Sequence, residues 1–94
     1  MIVYISGKIT GLNPQQTKEK FFAVEAMLRE KGHKVVNPIR LANINDEWNY
    51  AMKKCIIGMM ECNAIYLLPD WIDSKGARIE YDLANKLNFK LLNA

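Results

Sequence analysis

Four short apolar runs, separated by stretches of helical periodicity, restrict what this chain can fold into more than any other feature. Residues 2–6 (Ile-Val-Tyr-Ile-Ser) stop at Gly7, and 34–37 (Lys-Val-Val-Asn) stop at Pro38. Residues 64–68 (Ala-Ile-Tyr-Leu-Leu) stop at Pro69, and 89–92 (Phe-Lys-Leu-Leu) follow Asn88. Each is a β-branched or aromatic run bounded by a breaker, which reads as a buried strand. From Pro14 to Lys31, the residues Phe21, Phe22, Val24, Ala26, Met27 and Leu28 recur at three- and four-residue spacing. That is a helix, with Gly32 as its C-cap. Residues 38–45 read as irregular. A second helix is predicted from a cap at Asn45 or Asp46 to about residue 61, and a third over residues 76–87. The order β-α-β-α-β-α-β implies right-handed crossovers and a parallel sheet covered on both faces. The predicted fold is therefore a three-layer α/β/α sandwich, flavodoxin- or Rossmann-like, with four parallel strands, or five. In such sheets ligands sit beyond the carboxyl ends of the strands. Here those ends are Ser6-Gly7, Asn37-Pro38 and Leu68 to Asp70.

Ninety-four residues fit a single domain, 1–94, and half of them are apolar, so a core can form. Thirteen Lys and Arg against ten Asp and Glu give +3, without any block of like charge. A nucleic-acid surface is not indicated, and a small anionic ligand fits the balance equally well. No apolar run is long enough for a membrane span, and the N-terminus lacks the basic segment of a signal peptide. The two cysteines, Cys55 and Cys62, fall seven residues apart. On one helix that separation is about 10 Å, too far for a disulfide. One histidine, His33, and two cysteines assemble no zinc site, and no other cofactor is called for. Free buried thiols point to a reducing cytoplasm.

Two segments could carry chemistry. Tyr4-Ile5-Ser6-Gly7-Lys8-Ile9-Thr10-Gly11 follows the first strand. Gly7 and Gly11 let the backbone approach a ligand, and Lys8 could meet a phosphate. A tight turn with a solvated lysine explains the same residues equally well. The second segment runs from Asp70-Trp71 through Ser74-Lys75-Gly76-Ala77 to Glu80. Ser74 and Gly76 lie at a helix start, where unpaired N–H groups favour anions. Glu80, one turn further on, can lean back toward the strand ends and act as nucleophile or base. Its residue type alone fits a surface glutamate, or a cap partner of Ser74, better. Trp71 can stack on a planar base, or pack beneath its loop.

Taken together, the two segments resemble the nucleoside 2-deoxyribosyltransferases and the related deoxynucleoside-monophosphate N-glycosidases. The likeness runs from Tyr4-Ile-Ser-Gly and Gly11, through Val35-Val36-Asn37-Pro38 and Leu67-Leu68-Pro69-Asp70-Trp71, to Ser74-x-Gly76-Ala77-x-x-Glu80. It covers nearly the whole chain and is closest to a subgroup of short bacterial and phage proteins. The resemblance implies cleavage of an N-glycosidic bond in a nucleoside or deoxynucleotide. Glu80 looks like the nucleophile that attacks the anomeric carbon, and Tyr4 like the tyrosine that orients it. Ser74 and Gly76 look like part of the sugar or 5′-phosphate pocket. Lys8 stands where phosphate-specific relatives offer other polar residues. Family members are homodimers or larger, and the wide apolar face of the second helix agrees with that.

Where the family carries an aspartate that assists departure of the base, and a second acid eight residues later, this chain has Cys55 and Asn63. A thiol is a poor proton donor to a base, and an amide is none. Two further readings stand beside the enzyme: a nucleotide-binding module that has lost efficient catalysis, which rests on Cys55 and Asn63, and an oligomeric interaction protein, which the broad apolar face of the second helix motivates.

Overall fold

A computed structural model describes residues 1–93. Its four strands are β1 (Ile2–Ser6), β2 (Lys34–Val36), β3 (Ala64–Leu67) and β4 (Lys90–Leu91). All pair in parallel, in the order β2-β1-β3-β4. The predicted α/β architecture is the one observed. Four helices flank the sheet: α1 (Pro14–Glu30), α2 (Pro38–Leu41), α3 (Trp48–Met59) and α4 (Lys75–Lys86).

The side-chain period of two divides each strand between two cores. Val3 and Ile5 of β1 meet Phe21 and Leu28 of α1, together with Ala64 and Leu68. Tyr4 meets Cys55 and Met59 of α3 and Ala84 of α4, together with Ile65 and Leu67. Helix α1 therefore covers one face of the sheet, and α3 and α4 the other. Strand β1, paired on both edges, is the axis of the molecule, and Val3, Tyr4, Ile5 and Ser6 are fully buried.

The segment read as irregular contains α2. Pro38, which follows the end of β2, stands at the first helical position of α2, where its missing N–H costs nothing. Asn37 caps that turn, its Oδ1 accepting from the Ile39 N–H at 3.0 Å. The cap predicted at Asn45 or Asp46 is not formed. Helix α3 begins after Glu47 without a side-chain cap bond. Asp46 instead accepts from Lys54 at 2.9 Å and from the Asn43 N–H at 2.8 Å. Helix α3 also ends before Cys62, so the two cysteines do not share a helix; both are free and buried. A short 3₁₀ turn (Trp71–Asp73) fills the loop before α4. Among the described residues no helix is long and apolar enough to cross a membrane.

Candidate functional site

Glu80 lies in the second turn of α4 and is only 5% exposed. Helix α4 starts after the loop that leaves the carboxyl end of β3, and that places Glu80 against the carboxyl end of β1. Tyr4 and Ser6, two residues apart on β1, point to the same face and reach it together. The Tyr4 hydroxyl donates to Oε2 at 2.7 Å and the Ser6 hydroxyl donates to Oε1 at 2.7 Å. Both carboxylate oxygens are thus held by short bonds, and the carboxylate plane is fixed.

No cation pairs with Glu80 among the described residues. Burial raises its pKa from 4.5 to about 7, and the bonds from Tyr4 and Ser6 oppose that rise. The same burial, followed by the charge of Glu80, pushes the Tyr4 phenol well above its ordinary value. The Cys55 thiol rises to about 11, first by burial and then by the charge of Glu80. A pKa near neutrality on a carboxyl in a cleft marks a group that can serve as nucleophile or base.

Replacing Tyr4 by Phe removes one of the two donors that favour the charged form. A hydrogen bond to a charged group contributes about 1.5–3 kcal/mol. The Glu80 pKa should therefore climb by about one to two units. A carbon-detected NMR titration of the Glu80 carboxyl in the Tyr4→Phe variant reads this directly; an unmoved midpoint would show that the Tyr4 bond is energetically idle.

The carboxylate opens into a cleft of about 860 Å³ at the carboxyl ends of β1 and β2. That volume suits a nucleotide-sized ligand. Gly7, Gly11, Ser74, Gly76 and Cys55 line it with Glu80. Gly7 is required by packing: a Cβ there would sit 2.7 Å from the Leu68 Cβ. Gly11 has φ +83°, a backbone conformation that side chains disfavour. Ser74 is the N-cap of α4, its Oγ accepting from the Ala77 N–H at 3.1 Å. Gly76 lets α4 approach α3, since a Cβ there would lie 3.0 Å from the Met52 Sδ.

Four other residues singled out in the sequence, Lys8, Asp70, Trp71 and Asn63, lie outside this cleft. Lys8 belongs to a smaller adjoining pocket with Lys75 and Trp48. Asp70 accepts from Lys20 at 2.6 Å and from the Lys8 N–H at 3.0 Å, tying the first loop to the end of β3. Burial works against ionisation of Asp70, but Lys20 and the Lys8 N–H outweigh it and lower its pKa. Trp71 packs on Tyr81, with ring centroids 4.8 Å apart, against the core beneath α4. Asn63 is at the opposite end of the sheet, its Oδ1 accepting from the Ile2 N–H at 2.9 Å. It cannot stand in for an acid beside Glu80. Of the two positions compared with family acids, only Cys55 is in the cleft.

Sequence reasoning passed over three residues of the site. Ser6 could have been found from the period of two, since it shares a strand face with Tyr4. Trp48, not Trp71, is the tryptophan at the cleft. Arg40 also lines it, on a helix not anticipated from the sequence.

A comparison with curated proteins finds no match. The family model described as Domain of unknown function (DUF4406) matches residues 1–93. The match spans both Tyr4 and Glu80 and essentially the whole sheet, so the chain belongs to this DUF4406 family.

Proposed function

We propose that this protein cleaves, or transfers across, the N-glycosidic bond of a deoxynucleoside or its 5′-monophosphate, with Glu80 as the nucleophile. The observation that carries this reading is the buried Tyr4–Glu80–Ser6 arrangement opening into a cleft at the strand ends. A carboxylate oxygen attacks the anomeric carbon as the bond from that carbon to the base nitrogen breaks. The electron pair leaves with the base, which takes up a proton. Water, or a second base, then attacks the same carbon and releases the carboxylate. Tyr4 and Ser6 fix the carboxylate plane, so less orientation is lost at the transition state. The exposed Ile57 and Tyr50 of α3 support assembly into a homodimer or larger homo-oligomer.

The test is release of free base from deoxynucleosides and their 5′-monophosphates, followed by chromatography at high enzyme concentration. Release should vanish in Glu80→Ala. In the native protein it should rise with pH through about 7, as Glu80 ionises. No release from any of these substrates would overturn the reading.

Cys55 favours a second reading, a nucleotide-binding module with weakened catalysis. Its thiol holds its proton up to about 11, so it is a poor donor to a departing base at neutral pH. That reading predicts that nucleotides raise the melting temperature without being cleaved.

A further inference from the structure

The wall of the cleft formed by α1 and α2 carries positive charge that its acidic partners offset only in part. Glu25 of α1 is 6% exposed and is held by Arg40 of that wall, by Arg29 one turn further along α1 and by Asn37. Arg40 donates to it through Nε at 3.1 Å and through Nη2 at 2.9 Å. Arg29 donates at 3.2 Å, and the buried Asn37 amide also at 3.2 Å. Two guanidinium groups thus share one carboxylate, so Glu25 offsets the charge of Arg40 only in part, although Arg29 itself lies outside the cleft lining. Lys18 adds another positive charge on the same wall and has no acidic partner among the described residues. The acids that line the cleft do not offset this. Asp46 is paired with Lys54, and Glu80 is buried at the floor with a pKa of about 7.

Arg40 is also locked in place. Its fork is set by Glu25, and its guanidinium carbon lies 4.6 Å from the centre of the Phe22 ring. Both Arg40 and Phe22 line the cleft, and the Arg40 side chain is 57% exposed. Arginine has five N–H donors, and two of them are committed to Glu25. The rest are available to a ligand. A planar cation with its rotamer held in advance loses little freedom on binding an oxyanion, and its geometry suits phosphate.

We infer that Arg40, held by Glu25 and helped by Lys18, is the anion-binding subsite of the cleft, and that it selects a ligand bearing a phosphate monoester. The inference rests on the N-glycoside reading for the sugar and base of that ligand; its anion is argued from the wall alone. Lys8 faces the smaller pocket and is not needed for this role.

Calorimetry with deoxynucleosides, their 5′-monophosphates and inorganic phosphate tests it without requiring turnover. The native protein should prefer a monophosphate to its nucleoside by at least about tenfold, which corresponds to roughly 1.4 kcal/mol. The preference should shrink with added salt. In Arg40→Gln it should fall to near unity, with nucleoside affinity nearly unchanged. Arg40→Lys keeps the charge and a partner for Glu25, so it guards against a folding defect; it should retain part of the preference. Lys90→Gln, on β4, controls for net charge and should behave as the native protein. The inference is overturned by absence of the preference in the native protein, by its survival in Arg40→Gln, or by its loss in Lys8→Ala alone. If inorganic phosphate binds in an Arg40-dependent way and no base is ever released, the subsite stands and the glycosidase reading falls. If base is released and phosphate affinity ignores Arg40, the reaction stands and the subsite falls.

Discussion

Glu80→Gln should make the protein more stable above pH 7 while removing any base release. The sign follows from the pKa of Glu80, which is raised from 4.5 to about 7 by folding. Between those values the folded state holds a proton that the unfolded state has lost. The stability contributed by neutral Glu80 is therefore complete below about pH 4.5 and is lost as pH rises through about 7. A shift of this size corresponds to about 3 kcal/mol. Glutamine is neutral at every pH and can still accept from the Tyr4 or Ser6 hydroxyl. At pH 8 the variant should melt about 12–24 °C higher than the native protein, because about 1 kcal/mol moves the midpoint of a domain this size by about 4–8 °C. At pH 4.5 the two should melt nearly together. Calorimetric scans from pH 4.5 to 8 check this; parallel curves across that range would mean that Glu80 is charged in the fold at no cost. Subtracting one protein from the other cancels the opposite trend from Glu25, whose pKa is lowered by Arg40.

Cys55→Asp should raise the rate of base release by about 10²–10⁴-fold, the range a positioned proton donor supplies. The thiol lies close enough to Glu80 for the charge of one to raise the pKa of the other. Two carboxyl groups in that corner could not both ionise readily, so the pair would share one proton near neutrality. One carboxyl would then be an acid for the departing base and the other a nucleophile. The rate should become bell-shaped in pH, where the native protein should rise through one limb. Cys55→Asn has the same shape as the aspartate without the proton, and should gain nothing. A folded Cys55→Asp protein with unchanged kinetics would show that Cys55 does not face the leaving base.

The sheet was legible because its strands are short, apolar and each followed by a breaker; Gly7, Pro38 and Pro69 marked the ends closely. The parallel order followed from the alternation of elements. Pro38 misled because a proline ends one element and can begin another, and Asn37 before it was the signal that it does the latter. The environment of Glu80 was legible only through resemblance. Its partners are more than seventy residues away, and no local pattern tells a buried glutamate on a helix from an exposed one. Trp71 and Trp48 show the same limit: both sit near helix starts, and only packing decides which ring joins the core. Arg40 was hidden twice over, by the helix α2 that the sequence pattern did not announce and by a partner, Glu25, fifteen residues away, whose burial no local pattern marks.

The bond between Tyr4 and Glu80 joins residues 76 apart in the sequence. It closes almost the whole chain into one loop, from the first strand to the last helix. Contacts of that reach form late, since loop entropy must be overcome before they contribute. During synthesis, then, the first strand would be made long before the carboxylate it is to hold. Until α4 docks, Glu80 is hydrated and ordinary. A partly folded chain would have a cleft wall but no carboxyl held at its floor, so the raised pKa of Glu80 would arise only together with the finished fold.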